Sequence, residues 1–412
     1  MIHIGLGYWH KQFRTEVKQT AGYFMANPQG TPNFAYPYEL SSIELQLGGI
    51  RRITSLIREE IPFSKAYLGH EARLDRMNHF DSRFHNAHSS GRQTQAYMLA
   101  EQQALDNLLE RAYGKPFTGV HSTDGTKIGH YKIKNDLSDP DPAHQEVIIQ
   151  THAQMMELAH IMDANAYVLH LTCWDTWLGQ DLKNRKERIN GAFERFKILM
   201  DIYREKKYHF PIALENLEFS KFPATLEELW FAWNSCRYIA QERGVNPGNI
   251  KMCLDFQHLR HSYKIINEPG NYNEYGGQRR IDSDNWGDFS KVLLPGFFQV
   301  HQKVIGTQWN EHTKKRHSGI DIARQFLEHN IANILVVHTA GNNHISATQD
   351  PIYYQPIDQK IPPWQLDCRL MSNMLIDCGF DGAITVEDQS PNYTQHEKSA
   401  LVILQYLKER ES

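Results

Sequence analysis

Three features of this 412-residue sequence predict one α/β domain built as a (β/α)8 barrel with enlarged loop insertions. From about residue 143, short apolar runs alternate with segments of helical period, which is how βαβ units in a parallel sheet read. Four successive apolar runs each end in an acid or a histidine. No linker, tandem repeat or low-complexity tract divides the chain, so a single domain over 1–412 is expected although the length would also suit two.

The elements follow in order. His3–Gly7 and Ser42–Leu47 read as strands, a helix covers about 92–113, and Phe117–His121 reads as a third strand. Residues 144–162 carry Ile148, Ile149, His152, Met155, Met156, Ala159 and Ile161 at helical spacing, and Ala166–Leu171 is the next strand. A charged amphipathic helix at about 185–207 leads into Pro211–Glu215, and a second at about 225–243 closes at Gly244 before Ile250–Asp255. A helix near 319–330 precedes Asn333–His338. Another, about 365–378 and stopped by Gly379, precedes Gly382–Glu387, and 395–410 closes the chain. That makes seven or eight strands. Two stretches break the rhythm, about 62–91 and 262–300, and are expected to be insertions. Trp230, Phe231 and Trp233, in the middle of a helix, are expected in the core.

Composition narrows the function. Hydrophobic residues at 41% and charged residues at 22% belong to neither a disordered nor a membrane chain. Forty-four basic against 48 acidic residues give a net charge of −4, which leaves no global field to draw in nucleic acid or a membrane surface. The five cysteines form no Cys-x-x-Cys pair and cannot all be bridged, and no apolar run resembles a signal peptide or a membrane span, so a cytoplasmic location is expected. Histidine, at 22, is over-supplied, which suggests metal or acid–base chemistry. There is no Gly-x-Ser-x-Gly elbow, no phosphate-binding Gly-x-x-x-x-Gly-Lys loop and no complete dinucleotide fingerprint.

The strand ends carry the chemistry. Leu214 is followed by Glu215, Leu254 by Asp255, Val337 by His338 and Val386 by Glu387. In a βα barrel all strand C-termini meet at one mouth, so these four would converge on one point. Three carboxylates and an imidazole make a hard donor set for one divalent cation, Mn²⁺ or Mg²⁺ first, with Co²⁺, Fe²⁺ or Zn²⁺ tolerated. Taken singly, each has a plainer reading: Asp255 as a helix N-cap, His338 as a core histidine. Glu215 and Glu387 are poor caps, and a Glu directly after an apolar strand needs a charged partner.

Other residues attach to this mouth. His258, three residues beyond Asp255, is expected on the mouth side, either just behind the metal ligands or at substrate distance. His170 ends the strand before that of Glu215 and would bind a second metal, donate to a substrate oxygen or cap. His121 and His130 compete for the place after the third strand. Trp174 and Trp177 either stack on substrate or pack. The 262–300 insertion, with Tyr263, Tyr272, Tyr275, Trp286 and the pair Arg279-Arg280, reads as a cover for the site, a solvated insertion or an oligomer contact, which leaves a homo-oligomer open.

Leu214-Glu215-Asn216, Cys253-Leu254-Asp255-Phe256-Gln257-His258, Val336-Val337-His338 and Gly379-Phe380-Asp381-Gly382-Ala383-Ile384-Thr385-Val386-Glu387 resemble the xylose isomerase-like TIM-barrel superfamily, in particular its sugar phosphate isomerase/epimerase branch. The resemblance spans about 117–410. It implies Glu215, Asp255, His338 and Glu387 as metal ligands, His258 as a substrate-contacting histidine, and a carbohydrate substrate whose adjacent carbonyl and hydroxyl oxygens bind the metal. Glu215 and Glu387 would then be the catalytic pair that moves a proton through a metal-stabilised enediolate, with His258, His170 and Trp174 on the substrate. The same chemistry with a leaving group one carbon further on gives a dehydratase or lyase. Zinc apurinic-site endonucleases share the superfamily, but their extra Asp-x-His has no counterpart where Ile352 and Tyr354 stand. A third metal is therefore not expected. His170, with His121 or His130 and Glu215, remains a candidate second site, and a hydrolase or a non-catalytic binding barrel remain alternatives.

Overall fold

Alternation along the strands decides what faces where, since successive side chains point to opposite faces of a sheet. In a computed structural model that describes residues 1–27, 40–46, 91–122, 135–173, 182–259, 262, 309–310, 315–316, 319–339, 368–387 and 393–411, eight strands carry this pattern. They are β1 His3–Trp9, β2 Ser42–Gln46, β3 Phe117–His121, β4 Ala166–Leu169, β5 Ile212–Glu215, β6 Ile250–Asp255, β7 Ile334–Thr339 and β8 Ala383–Val386. Hydrogen bonding closes them in the order β1-β8-β7-β6-β5-β4-β3-β2, and every neighbouring pair is parallel. This is a (β/α)8 barrel, as the sequence predicts.

The helices are α1 His10–Ala26, α2 Gly91–Tyr113, α3 Pro142–Ile161, α4 Leu182–Glu205, α5 Leu226–Glu242, α6 Gly319–Asn330, α7 Cys368–Asp377 and α8 Tyr393–Glu411. Asp141 caps α3 by accepting from Ala143 N at 2.9 Å, with Pro142 pre-set for the first turn. Thr225 caps α5 by accepting from Glu228 N at 3.2 Å. Gly244 and Gly379 stop α5 and α7 at φ +72 and +78, the left-handed conformation that glycine adopts without strain. Among the described residues no helix is long and apolar enough to cross a membrane.

Several bounds differ from expectation. α1 was not anticipated from the sequence; among its described side chains Glu16, Val17, Thr20 and Ala21 are buried and Phe24 packs on the core. β1 runs on to Trp9, and β4 stops at Leu169, so His170 lies one residue beyond its strand. A short antiparallel pair, Trp309–Asn310 with Lys315–Arg316, precedes α6. The two expected insertions lie outside the described residues except for Gly91 and Ser262.

The outward residues of the strands, among them Leu6, Ile43, Tyr167, Leu214, Leu254 and Ile384, pack against the helices in one large core. Phe231 and Trp233 are buried there, and Trp230 packs on Phe326 from its edge. Inside the barrel, Phe117, Ala166, Val168, Ala213, Cys253, Val336 and Ala383 form a second, small apolar cluster. Val168, Ala213, Cys253 and Val336 stand two residues before His170, Glu215, Asp255 and His338. Each polar residue therefore occupies the next inward position, at the C-terminal end of the lumen.

β1 and β2 approach closely because Gly5 has no side chain: a Cβ there would lie 2.1 Å from the Ser42 carbonyl oxygen. Gly5→Ala should therefore destabilise the protein by about 1–3 kcal/mol, since backbone cannot yield as a side chain can. An unchanged thermal midpoint would contradict this packing.

Candidate metal centre

Seven ionisable side chains from seven successive positions around the barrel meet at its C-terminal end: Glu44 of β2, His121 of β3, His170 just past β4, Glu215 of β5, Asp255 of β6, His338 of β7 and Glu387 just past β8. Their backbones are tied as tightly as the strands themselves. Glu387 N donates to Thr339 O at 2.7 Å, and His170 N donates to Ser122 Oγ at 2.9 Å. Asn216 braces β5 to β6 in both directions, Nδ2 donating to Asp255 O and Oδ1 accepting from Asp255 N, each at 2.8 Å.

Glu215 is the hub. Its Oε2 accepts from His121 Nε2 at 2.9 Å and His170 Nε2 at 2.7 Å. Its Oε1 lies 3.2 Å from His338 Nδ1 and 4.0 Å from His258 Nε2. Glu387 Oε1 approaches the same His338 Nδ1 at 3.5 Å and His121 Nε2 at 3.8 Å. Across the ring, His338 Nε2 meets Glu44 Oε2 at 3.0 Å. Asp255 divides its oxygens: Oδ1 caps the following turn, accepting from Gln257 N at 2.6 Å and His258 N at 2.9 Å, while Oδ2 lies 3.5 Å from His258 Nε2. Capping and ligation are thus compatible in one residue. His121 Nδ1 contacts both the Ser122 carbonyl oxygen and Gln46 Nε2, which leaves Nε2 turned toward the centre.

The electrostatics point to a missing positive charge. Among the described residues every ion-pair partner of Glu44, Glu215, Asp255 and Glu387 is a histidine. Burial acts to raise Glu215, yet the imidazoles of His170 and His338 and hydrogen bonds from His121 and His170 hold it well below the usual carboxylate range. Burial pushes Glu387 well above that range, aided by Glu215, Glu44 and Asp255 and opposed by His338. Burial would depress His338, but Cys253, Glu387, Glu44 and Glu215 lift it well above an ordinary imidazole. Burial would raise Glu44, but His338 and His121 hold it low. His338 Nδ1 nevertheless makes no hydrogen bond among the described residues, although two carboxylate oxygens face it. Two carboxylate oxygens and an imidazole nitrogen that converge without forming a hydrogen bond are a donor set that a cation would fit.

The donors form overlapping sets, each with ligand atoms within 4.8 Å of one another. One is Glu215, Asp255, His338 and Glu387; another is His121, His170 and Glu215; a third is Glu44, His121, His338 and Glu387. The four residues expected as ligands from the sequence are therefore brought together, with His258 and His170 beside them. His121 enters the site, whereas His130, Trp174 and Trp177 lie outside the described residues. Glu44 was not read from the sequence as a site residue. Its parity within β2, opposite to Ile43 and Leu45, was the available signal, and only barrel closure turns that face inward.

No protein-family model and no curated protein matches the sequence. Similar solved structures include 3-keto-D-glucoside 4-epimerase from E. coli, at 11% identity over 98% of this chain and 99% of that one with a TM-score of 0.44. D-Psicose 3-epimerase from Clostridium cellulolyticum is 10% identical over 99% of each chain, with a TM-score of 0.42. Endonuclease IV from Thermus thermophilus is 11% identical over 99% of each, with a TM-score of 0.38.

Ligation needs an ionised Glu387 and a free lone pair on His338, and both groups are shifted upward, so cation binding should release protons and strengthen as pH rises, by about tenfold per pH unit for each proton displaced. Titration calorimetry with Mn²⁺ in buffers of different ionisation heat should show buffer-dependent enthalpies. Equal enthalpies and a pH-independent affinity would contradict the proton-holding centre.

Proposed function

We propose that this chain is a divalent-metal-dependent isomerase or epimerase of a ketose or related sugar derivative, moving a proton at the carbon next to a carbonyl. The observation that carries the reading is the convergence of Glu215, Asp255, His338 and Glu387 at the barrel mouth, with Glu215 and Glu387 approaching His338 Nδ1 from strands on either side of β6 and β7. The motif resemblance at the same residues supports it. These four would hold one ion, Mn²⁺ first by ligand hardness. A bound cation supplies Lewis-acid polarisation of the substrate's carbonyl and neighbouring hydroxyl oxygens.

The chain's own residues do the rest. Glu215 and Glu387 take and return the proton at the two faces of the substrate, as general base and general acid. His258, 21% exposed where His338 is fully buried, is the imidazole open enough to orient a substrate oxygen. His170 keeps Glu215 in place and lines the same side of the mouth. Trp174 is proposed as a stacking face for the sugar.

A second reading rests on His121 and His170, which converge on Glu215 Oε2 and would hold a second ion bridged by that carboxylate. Two ions clamping one group suit hydrolysis, as in phosphodiester cleavage.

Glu215→Gln should lower turnover by about 10²–10⁴-fold, the usual share of a positioned acid–base group. The assay is incubation with Mn²⁺, Mg²⁺, Co²⁺ or Zn²⁺ and a panel of ketoses, keto-inositols and keto-glycosides in D₂O, read by NMR for deuterium at the carbon beside the carbonyl. Wild-type exchange in the variant would refute the role of Glu215. Two ions per chain with cleavage of abasic DNA and no sugar turnover would replace the first reading by the second.

A further inference from the structure

The proposed proton transfer leaves one buried carboxylate without a task. Glu44 projects from the middle of β2 into the lumen, and its Oε2 lies 3.0 Å from His338 Nε2. Its seat is built by a glycine: a Cβ on Gly119 of β3 would stand 3.0 Å from Glu44 Cγ and 3.3 Å from Oε2. On the far side of the imidazole, Nδ1 faces Glu215 Oε1 at 3.2 Å and Glu387 Oε1 at 3.5 Å without a hydrogen bond.

The two ring nitrogens project in divergent directions, so a cation bound between Nδ1, Glu215 and Glu387 lies across the ring from Glu44. A carboxylate only accepts, so the proton in the Glu44 contact belongs to Nε2. A neutral imidazole with its proton on Nε2 carries its lone pair on Nδ1. We propose that Glu44 is a positioning residue: it fixes His338 in the Nε2–H tautomer and the ring orientation that present Nδ1 as the ligand atom to a divalent cation held with Glu215, Asp255 and Glu387. This rests on the metal-dependent reading of the site. Partners of this kind around metal-binding histidines raise ligand basicity and restrict the ring.

The test compares wild type with Glu44→Gln, Glu44→Ala and Gly119→Ala by calorimetric titration with Zn²⁺ and Co²⁺, by thermal midpoint without metal, and by ¹⁵N-histidine spectra of the Zn²⁺-loaded protein. Glu44→Ala should weaken binding about 10–100-fold. Glu44→Gln, whose amide oxygen still accepts from Nε2–H, should weaken it less, and Gly119→Ala, which presses on the carboxylate, should shift it in the same direction. The metal-free midpoint of Glu44→Gln should be unchanged or higher, because one of four clustered carboxylates is gone; a purely structural role would lower it. In the loaded wild type, His338 should show a metal-bound Nδ1 and a slowly exchanging Nε2–H that Glu44→Ala loses. Wild-type affinity in both Glu44 variants, or metal on Nε2 of His338, overturns the positioning role alone and leaves the metal reading standing. A wild type that binds neither ion overturns both.

Discussion

One buried carboxylate, that of Glu215, orders the mouth of this barrel. At 1% exposure it has given up its hydration, a loss of several kcal/mol for an isolated ion, and it survives ionised because His121, His170 and His338 surround it. Those imidazoles come from β3, from the residue after β4 and from β7, so the charge is stable only when the barrel is closed and its strands are in register. The Asn216 brace between β5 and β6 serves the same end: it sets Glu215 and Asp255 at one height, and a slip between the two strands would separate them.

The same period of two that builds the outer core delivers the chemistry. Large residues face the helices while small ones, Ala213, Val168 and Val336, fill the lumen beneath the site, so the next inward position on each strand falls at the open end. Close strand contacts at Gly5 and the gap at Gly119 extend this logic: absent side chains let β2 come near enough for Glu44 to reach His338. Four carboxylates in one dry pocket repel one another. Burial and the neighbouring carboxylates lift Glu387, and those carboxylates also lift His338, so both groups hold a proton more readily than they would in water.

Much of this was legible in the sequence, and what was not has physical causes. The βα rhythm after residue 143 and the strand-end acids were readable because a parallel strand buried on both faces is a continuous apolar run with a sharp polar end. Gly244 and Gly379 marked helix ends that prove to have positive φ. The α1 helix was missed because polar Glu16 and Thr20 share its buried face with Val17 and Ala21, which blurs the apolar period. Glu44 was missed because Ile43-Glu44-Leu45-Gln46 alternates like any half-exposed strand, and nothing local says that the polar face lies inside a barrel. His121 could not be separated from His130 by spacing, since register across β2, β3 and β4 is a long-range property.

The central claim is that Glu215, Asp255, His338 and Glu387 hold a divalent cation at the mouth. Anomalous diffraction from crystals grown with Mn²⁺ tests it most directly. The account predicts a manganese peak within coordination distance of those three carboxylates and of Nδ1 of His338. An empty centre at saturating Mn²⁺, or a peak that excludes Glu215 and His338, would contradict it.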